Sequence, residues 1–170
     1  MRRIFAVWIF ALIILSFSGC SKNAEPVNMN KLYSVTADVK MGDVSATVGL
    51  NRLGNGAWDV TFTKPDNLNG MSVSYENDKA NISYNGLTFT INKEDIPASA
   101  IVSNLTKVMD NAALGSDMSY TKEDGKITAK GKVDNNAYEL ILDENSGIPV
   151  ELKLNKIKMD VNFSEYKPIT

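Results

Sequence analysis

The sequence predicts a mainly β domain of the α+β class, a strongly curved antiparallel half-barrel of about eleven strands with one amphipathic helix against its concave face. Apolar and polar residues alternate through most of the chain, short turn motifs separate the alternating runs, and one segment instead has helical periodicity. Alternation indicates strands with one buried and one solvated face, which is typical of antiparallel sheets.

The chain of 170 residues begins like a removable export signal. Arg2 and Arg3 precede twelve apolar residues (4–15), fewer than the roughly 20 that a transmembrane helix needs. Small residues then lead to Cys20, the only cysteine. This order resembles the lipobox of bacterial lipoproteins, in which the cysteine is acylated and the peptide is cut before it. An ordinary secretory signal with an incidental cysteine is the alternative.

Three regions follow from this interpretation. We expect residues 1–19 to be a lipoprotein signal peptide, residues 20–30 to be the lipidated cysteine with a flexible polar tether, and residues 31–170 to form the half-barrel domain. Diacylglycerol on Cys20 would anchor the protein to a membrane, because each buried CH₂ group contributes roughly 0.8 kcal/mol. The expected location is the extracytoplasmic face of the cell membrane, or the outer membrane if the organism is Gram-negative.

Charge and composition exclude several function classes. Without Arg2 and Arg3, the 18 Lys and Arg fall to 16, against 20 Asp and Glu. A net negative chain lacks the cationic footprint that nucleic-acid binding requires, so no nucleic-acid partner is expected. The chain has no histidine, which excludes catalytic and metal sites that depend on imidazole.

The first half of the domain predicts a six-strand meander, because tight-turn residues such as Asn85-Gly86 separate its alternating runs. The apolar positions of these runs are Tyr33 to Val39, Val44 to Leu50, Trp58 to Phe62, Met71 to Tyr75, Ala80 to Tyr84 and Leu87 to Ile91.

One segment, from Pro97 to Ala113, departs from alternation. Its apolar residues are spaced as on one stripe of an amphipathic helix. Pro97 suits the first helical turn and Gly115 suits the end of a helix. The stripe comprises Ile101, Val102, Leu105, Val108, Met109, Ala112 and Ala113.

Alternation then resumes and predicts five more strands. Their apolar positions run from Met118 to Tyr120, Ile127 to Val133, Tyr138 to Leu142, Val150 to Leu154 and Ile157 to Phe163. A sheet with so many strands has to curl, because strand twist accumulates, and the helix must bury its stripe against the concave side.

A concave apolar face that is incompletely filled would hold a hydrophobic ligand, although alternation alone does not distinguish a cavity from a packed core. We expect the ligand-binding residues to be those that alternate inward near the helix and those on the helical stripe that face them. They are Trp58, Phe62, Val73, Tyr75, Ile82, Phe89, Ile101, Leu105 and Met109.

Other motifs favour ordinary turns over chemistry. Gly54-Asn55-Gly56 lies between two strands with no helix behind it, so a hairpin turn is favoured over a phosphate loop. The run from Asp143 to Gly147 lacks the later Glu of a calcium loop. The adjacent carboxylates of Glu94-Asp95 point apart on a strand or turn. We therefore predict no enzyme activity, catalytic residue, metal or cofactor.

Three local patterns, at 58–65, 142–150 and 161–166, resemble the LolA/LolB-like superfamily of bacterial lipoprotein carriers. They are an aromatic-containing strand before Pro65, an acidic turn leading through Gly147 to an apolar-Pro hairpin, and a closing strand. Residues 68–75 also resemble germination lipoproteins of the GerS kind. The resemblance implies a half-open barrel that binds a lipid, an acyl chain or a protein partner without catalysis.

Two functions therefore remain. The first is a membrane-anchored, extracytoplasmic lipoprotein that binds an apolar ligand in the half-barrel. The second is a structural or regulatory lipoprotein that docks another envelope protein in a germination- or sporulation-type role. An unfilled apolar concavity would favour the first function, and an exposed edge strand or apolar patch would favour the second.

The anchor can be tested by the Cys20→Ala substitution. Acylation needs the thiol, so the variant should lose both labelled palmitate and cleavage at this site. Metabolic labelling with gel analysis measures both effects, and equal incorporation of palmitate into the variant would contradict the lipobox interpretation.

Overall fold

The computed structural model describes residues 22–97, 100–115 and 117–169. Within them, one antiparallel sheet of twelve strands curves around a single α-helix, as the alternation and the helical stripe predict. The elements are β1 (Lys22–Asn23), β2 (Tyr33–Met41), β3 (Val44–Gly54), β4 (Ala57–Lys64), β5 (Ser72–Glu76), β6 (Lys79–Tyr84), β7 (Leu87–Asn92), α1 (Ile101–Leu114), β8 (Ser119–Glu123), β9 (Lys126–Val133), β10 (Asn136–Asp143), β11 (Pro149–Leu154) and β12 (Met159–Pro168).

Two meanders make up the sheet. Strands β2 to β7 follow one another in space, strands β8 to β12 do the same, and β12 pairs with β2 to join the two halves. The spatial order is β1-β8-β9-β10-β11-β12-β2-β3-β4-β5-β6-β7, and no pairing of β7 with β1 or β8 closes it among the described residues. The half-barrel architecture predicted from the sequence is therefore confirmed, with eleven full strands and the two-residue β1 in addition.

The predicted turns are present at the hairpins. Asn85 and Gly86 both have positive φ, 49° and 79°, and connect β6 to β7. This is the conformation of a two-residue hairpin turn that matches the twist of its strands. Asn55-Gly56 likewise connects β3 to β4, as expected for a hairpin turn.

The helix begins later than predicted. It spans Ile101–Leu114, and the N–H of the preceding residue, Ala100, donates to the carbonyl of Pro97 at 2.8 Å. The predicted C-terminus is confirmed, because Gly115 adopts the left-handed conformation with φ 67°. Pro97 therefore lies outside the helix.

The last strand also begins later than predicted. Asn155–Ile157 form a 3₁₀ turn, and Lys158 has a positive φ of 51° before β12 starts at Met159. Ile157 therefore belongs to the turn. The apolar side chain had suggested a strand, but it packs against the core from the turn.

The residues expected to form a flexible tether instead contact the domain. Lys22 and Asn23 pair with β8, and the Ala24 N–H donates to the carbonyl of Tyr120 at 3.2 Å. Further along, Val27 is half-buried and Met29 is buried in the core. The apolar residues of this short segment had no period to reveal that packing. Cys20 and the predicted signal peptide lie outside the described residues.

The helical stripe is buried in the concave face of the sheet. Leu105, Val108 and Met109 are at most 1% exposed. Ser103, Asn104 and Thr106 in the first turns of α1 are also buried. The Asn104 side-chain amide and the Thr106 hydroxyl donate to carbonyls one turn back, at 3.0 Å each. Hydrogen bonding within the helix thus offsets part of the cost of burying these polar groups.

The Leu105→Asp substitution tests this packing. A carboxylate at this position would be buried without a partner, so the free energy of unfolding should fall by several kcal/mol, or the helix should leave the sheet. Thermal unfolding measured by circular dichroism reports the loss.

Leu114→Asp is the matched control, because Leu114 ends the same helix and is 62% exposed. A new anion at a helix C-terminus should cost no more than about 1 kcal/mol. Equal destabilisation by the two substitutions would show that the stripe is not the buried face.

Candidate functional site

The covered part of the concave face is organised around a buried ion pair. The Arg52 side chain on β3 is 1% exposed, and its Nε lies 3.8 Å from Asp110 Oδ1 on α1. The guanidinium also donates to the Lys31 carbonyl at 3.0 Å and to Asn30 Oδ1 at 3.2 Å. One buried cation thus connects the sheet, the helix and the chain that precedes β2.

Aromatic side chains surround this ion pair. Trp58 Nε1 donates to the other oxygen of Asp110, Oδ2, at 3.1 Å, and the Arg52 guanidinium carbon lies 5.9 Å from the centre of the Trp58 ring. Tyr33 packs edge-on against Trp58 and stacks on Tyr166. Burial raises the pKa of Tyr33, and the nearby Arg52 cation lowers it in part. These contacts make Trp58 a structural contact of the helix, and its side chain is fully buried.

On its other side, α1 is fastened to the second meander. The Tyr138 hydroxyl on β10 donates to Asn111 Oδ1 at 2.7 Å. Tyr138 lies across Gly131 of the neighbouring strand, where a Cβ atom would be 2.6 Å from the tyrosine oxygen. Because glycine has no side chain, the tyrosine ring can occupy the space beside the Gly131 backbone.

Most of the nine predicted ligand-binding residues are buried in the core between the sheet and the helix. Seven of them are at most 9% exposed, Ile82 is half-buried against the core, and Phe89 is exposed. The buried seven are Trp58, Phe62, Val73, Tyr75, Ile101, Leu105 and Met109. The structure therefore brings eight of the nine into or against one packed core, and it leaves Phe89 outside it.

Burial along one row of the sheet explains the position of Phe89. Residues directly opposite each other in antiparallel strands share a face, and Val60, Val73, Ile82 and Phe89 are successive partners from β4 to β7. Val60 is fully buried and Val73 is 5% exposed, Ile82 is half-buried, and Phe89 is 57% exposed. The row thus leaves the core as it approaches the edge, although all its members lie on the concave face.

A second row of paired residues also becomes more exposed towards β7. Tyr84 and Leu87 are partners on β6 and β7, and Leu87 is 61% exposed. The Tyr84 hydroxyl donates to the carbonyl of Asn67 at 2.6 Å, which ties the turn after β4 to this end of the sheet. We call the uncovered apolar surface formed by Met71, Ile82, Tyr84, Leu87 and Phe89 the apolar shelf.

The segment that follows β7 is tied to the turn between β3 and β4 and to β5. Lys93 Nζ donates to the Gly56 carbonyl at 3.2 Å and lies 5.0 Å from the centre of the Tyr75 ring. Burial raises the pKa of Tyr75 to about 12. The Lys93 cation thus lies over the ring of Tyr75 on β5.

Two cavities lie away from the apolar shelf, and charged side chains border both of them. One, of about 630 Å³, lies on the outer face of β2, β3 and β12 and is bordered by Lys40, Thr47 and Asp160. The other, of about 790 Å³, lies near the end of α1, between Asn111 and Lys130. None of the nine predicted ligand-binding residues lines either of them.

Residues 22–97, 100–115 and 117–169 contain no cluster of three or more Cys, Asp or Glu side chains placed to hold a metal ion. None of their helices combines the length and the hydropathy needed to cross a membrane.

Comparisons with known proteins give structural neighbours only. No family model matches this chain, and no curated protein matches it in sequence. An uncharacterised conserved protein from Thermus thermophilus is similar in structure, with a TM-score of 0.54 and 14% sequence identity over 84% of this chain and 82% of its own. At that identity, the likeness supports the fold alone.

Two further neighbours have lower TM-scores. A LolA superfamily protein from Nitrosomonas europaea matches with a TM-score of 0.45 and 9% identity, over 85% of this chain and 88% of its own. A DUF1329 family protein from Desulfovibrio piger matches with a TM-score of 0.40 and 12% identity, over 82% and 85%. The structural neighbours thus include a LolA superfamily protein and a DUF1329 family protein.

Proposed function

We propose that this chain is a non-catalytic, lipid-anchored protein of the extracytoplasmic membrane face that binds one apolar chain, such as the acyl chain of a lipid, on the apolar shelf. The observation that carries the proposal is the exposure of Leu87 and Phe89, 61% and 57%, on the concave face of the sheet. Their neighbours Ile82 and Met71 continue the same apolar surface into the core.

The chemistry of the apolar shelf favours an acyl chain. Its five residues carry no charge, and Tyr84 already has a partner for its hydroxyl in the Asn67 carbonyl. Burying a methylene contributes roughly 0.8 kcal/mol, and a chain lying on an open surface buries one side only. We therefore expect weaker binding than an enclosed cavity would give, with exchange of the ligand at the open edge.

The proposed anchor would hold the domain at the membrane by one edge of the sheet. Cys20 precedes β1 by two residues, and β1 pairs with β8. Two residues span at most about 7 Å of chain, so a lipid on Cys20 would hold the β8 edge close to the membrane surface. The apolar shelf lies near the other end of the sheet, at β7, so the anchor would keep the domain at the membrane while the shelf stays open to a ligand, in the manner of a tethered acceptor.

The Phe89→Gln substitution tests ligand binding on the apolar shelf. A protein that starts at Ser21 should bind a fluorescent fatty acid with saturation near one per chain, and the variant should bind several-fold more weakly, because part of the apolar contact is lost. Fluorescence titration measures the affinity. Thermal unfolding should be nearly unchanged, since Phe89 is exposed.

The matched control is Leu114→Gln, which removes an equally exposed apolar side chain from the end of α1. Its affinity should equal that of the unsubstituted protein. Absence of saturable binding in the unsubstituted protein, or an equal loss in both variants, would contradict the proposed function.

The second candidate function, docking of another envelope protein, is favoured by a different observation. Strand β7 is an edge strand without a charged residue or a proline. Such an edge offers unpaired backbone groups to another strand. If no fatty acid binds, docking becomes the better account of the exposed Leu87 and Phe89.

A further inference from the structure

Strand β7 forms the edge of the first meander, and it lacks the usual features that prevent edge strands from pairing. Residues 85–92 contain neither a charged residue nor a proline, and β7 pairs with β6 in regular register without a bulge. Natural edge strands are commonly protected by lysine, proline, bulges or a covering segment. Strand β8, near the other end of the sheet, is covered in part by β1, and no described residue pairs with the outer side of β7.

The register identifies the backbone groups that are free to pair. The Lys93 N–H donates to the carbonyl of Asp78 at 2.8 Å, across the ladder between β6 and β7. Hydrogen-bonding pairs alternate along an antiparallel ladder, so Phe89 and the other odd-numbered residues of β7 bond to β6. Thr88 and Thr90 therefore direct their N–H and C=O groups outward.

We propose that β7 pairs in antiparallel orientation with β7 of a second copy of this chain, with the two-fold axis at Phe89. In this register, Thr88 lies opposite the partner's Thr90, and both carry outward-directed backbone groups. Phe89 lies opposite the partner's Phe89, and Leu87 lies opposite the partner's Ile91. The proposal concerns the backbone edge of the sheet and goes beyond ligand binding on the apolar shelf.

Self-pairing fits the sequence of β7. When a strand pairs with its own copy across a two-fold axis, charges of the same sign come close together and repel each other. Strand β7 contains no charged residue, so this repulsion is absent. The Phe89 pair falls at a non-hydrogen-bonded position, where cross-strand side chains come closest. Pairs of aromatic residues and of threonines are favourable at such cross-strand positions. The pairing would also place Phe89 and Leu87, the two most exposed apolar residues of the first meander, beside apolar residues of the second copy and would leave the concave face itself open.

A disulfide cross-link tests the pairing in the full chain, in the membranes of an expression host. With Phe89→Cys, mild oxidation should produce a dimer that a reducing agent separates, because the two-fold axis brings the thiols together. Leu114→Cys is the control, since it places an equally exposed thiol on α1 and should give no dimer. The unsubstituted chain, which retains Cys20, sets the background.

Two further substitutions in the Phe89→Cys chain separate strand pairing from chance collision. Thr90→Pro removes an outward N–H while leaving the bonds to β6, so the cross-link should be lost, whereas Thr90→Val keeps the N–H and the cross-link. Thr88→Lys should also abolish it by placing a cation from each copy on the shared edge. Loss with Thr88→Lys supports the pairing even if Thr90→Pro fails to fold.

Several outcomes would overturn the proposal. They are an absence of dimer with Phe89→Cys, an equal yield with Leu114→Cys, persistence of the cross-link with Thr88→Lys, or a cross-link to a different protein. The last result would identify β7 as a docking edge for another partner. None of these readouts depends on fatty-acid binding, so failure of the pairing is distinguishable from failure of the proposed ligand site.

Discussion

The arrangement of the domain depends on two neighbouring residues of α1. Asp110 pairs with Arg52 and accepts a hydrogen bond from Trp58 in the first meander, while Asn111 accepts one from Tyr138 in the second. The two contacts fix the helix between the halves of the sheet. Arg52 is 1% exposed and Asp110 16%, so removal of the carboxylate would leave a buried cation without its counter-charge, which is destabilising.

A single helix fixed there leaves part of the concave face uncovered. Eleven strands spaced about 4.8 Å apart extend roughly 50 Å around the arc, whereas a helix with its side chains is about 10–12 Å wide. The concave face near Trp58 and Val73 is covered, and the rows that reach β7 emerge into solvent at Leu87 and Phe89. The exposed apolar surface, and with it the proposed ligand site, is thus a consequence of the single helix that the described residues provide to cover the sheet.

Alternation and turn residues were sufficient to predict the strands and their order within each meander, because each tight turn places sequential strands side by side. They did not predict the pairing of β12 with β2, which joins the two meanders. Alternation also placed Phe89 on the concave face, but it reports only which face a residue occupies. Whether another element covers that residue depends on where α1 is fixed, through Arg52 and Asp110, which lie far apart in sequence. In the sequence, this contact was indicated by an arginine, Arg52, at a position of β3 where the alternation predicts an inward-facing apolar residue. The burial of Met29 could not be predicted, because the segment that contains this residue is too short to show a hydrophobic period.

Native mass spectrometry tests the central claim most directly. A protein that begins at Ser21 and is purified without detergent should retain, in part of the population, the added mass of one lipid or fatty acid, because the apolar shelf has no other described element to cover it. Gentle activation should release that mass and leave a folded chain. Detection of the bare chain alone, at every activation energy and after incubation with fatty acid, would contradict the account.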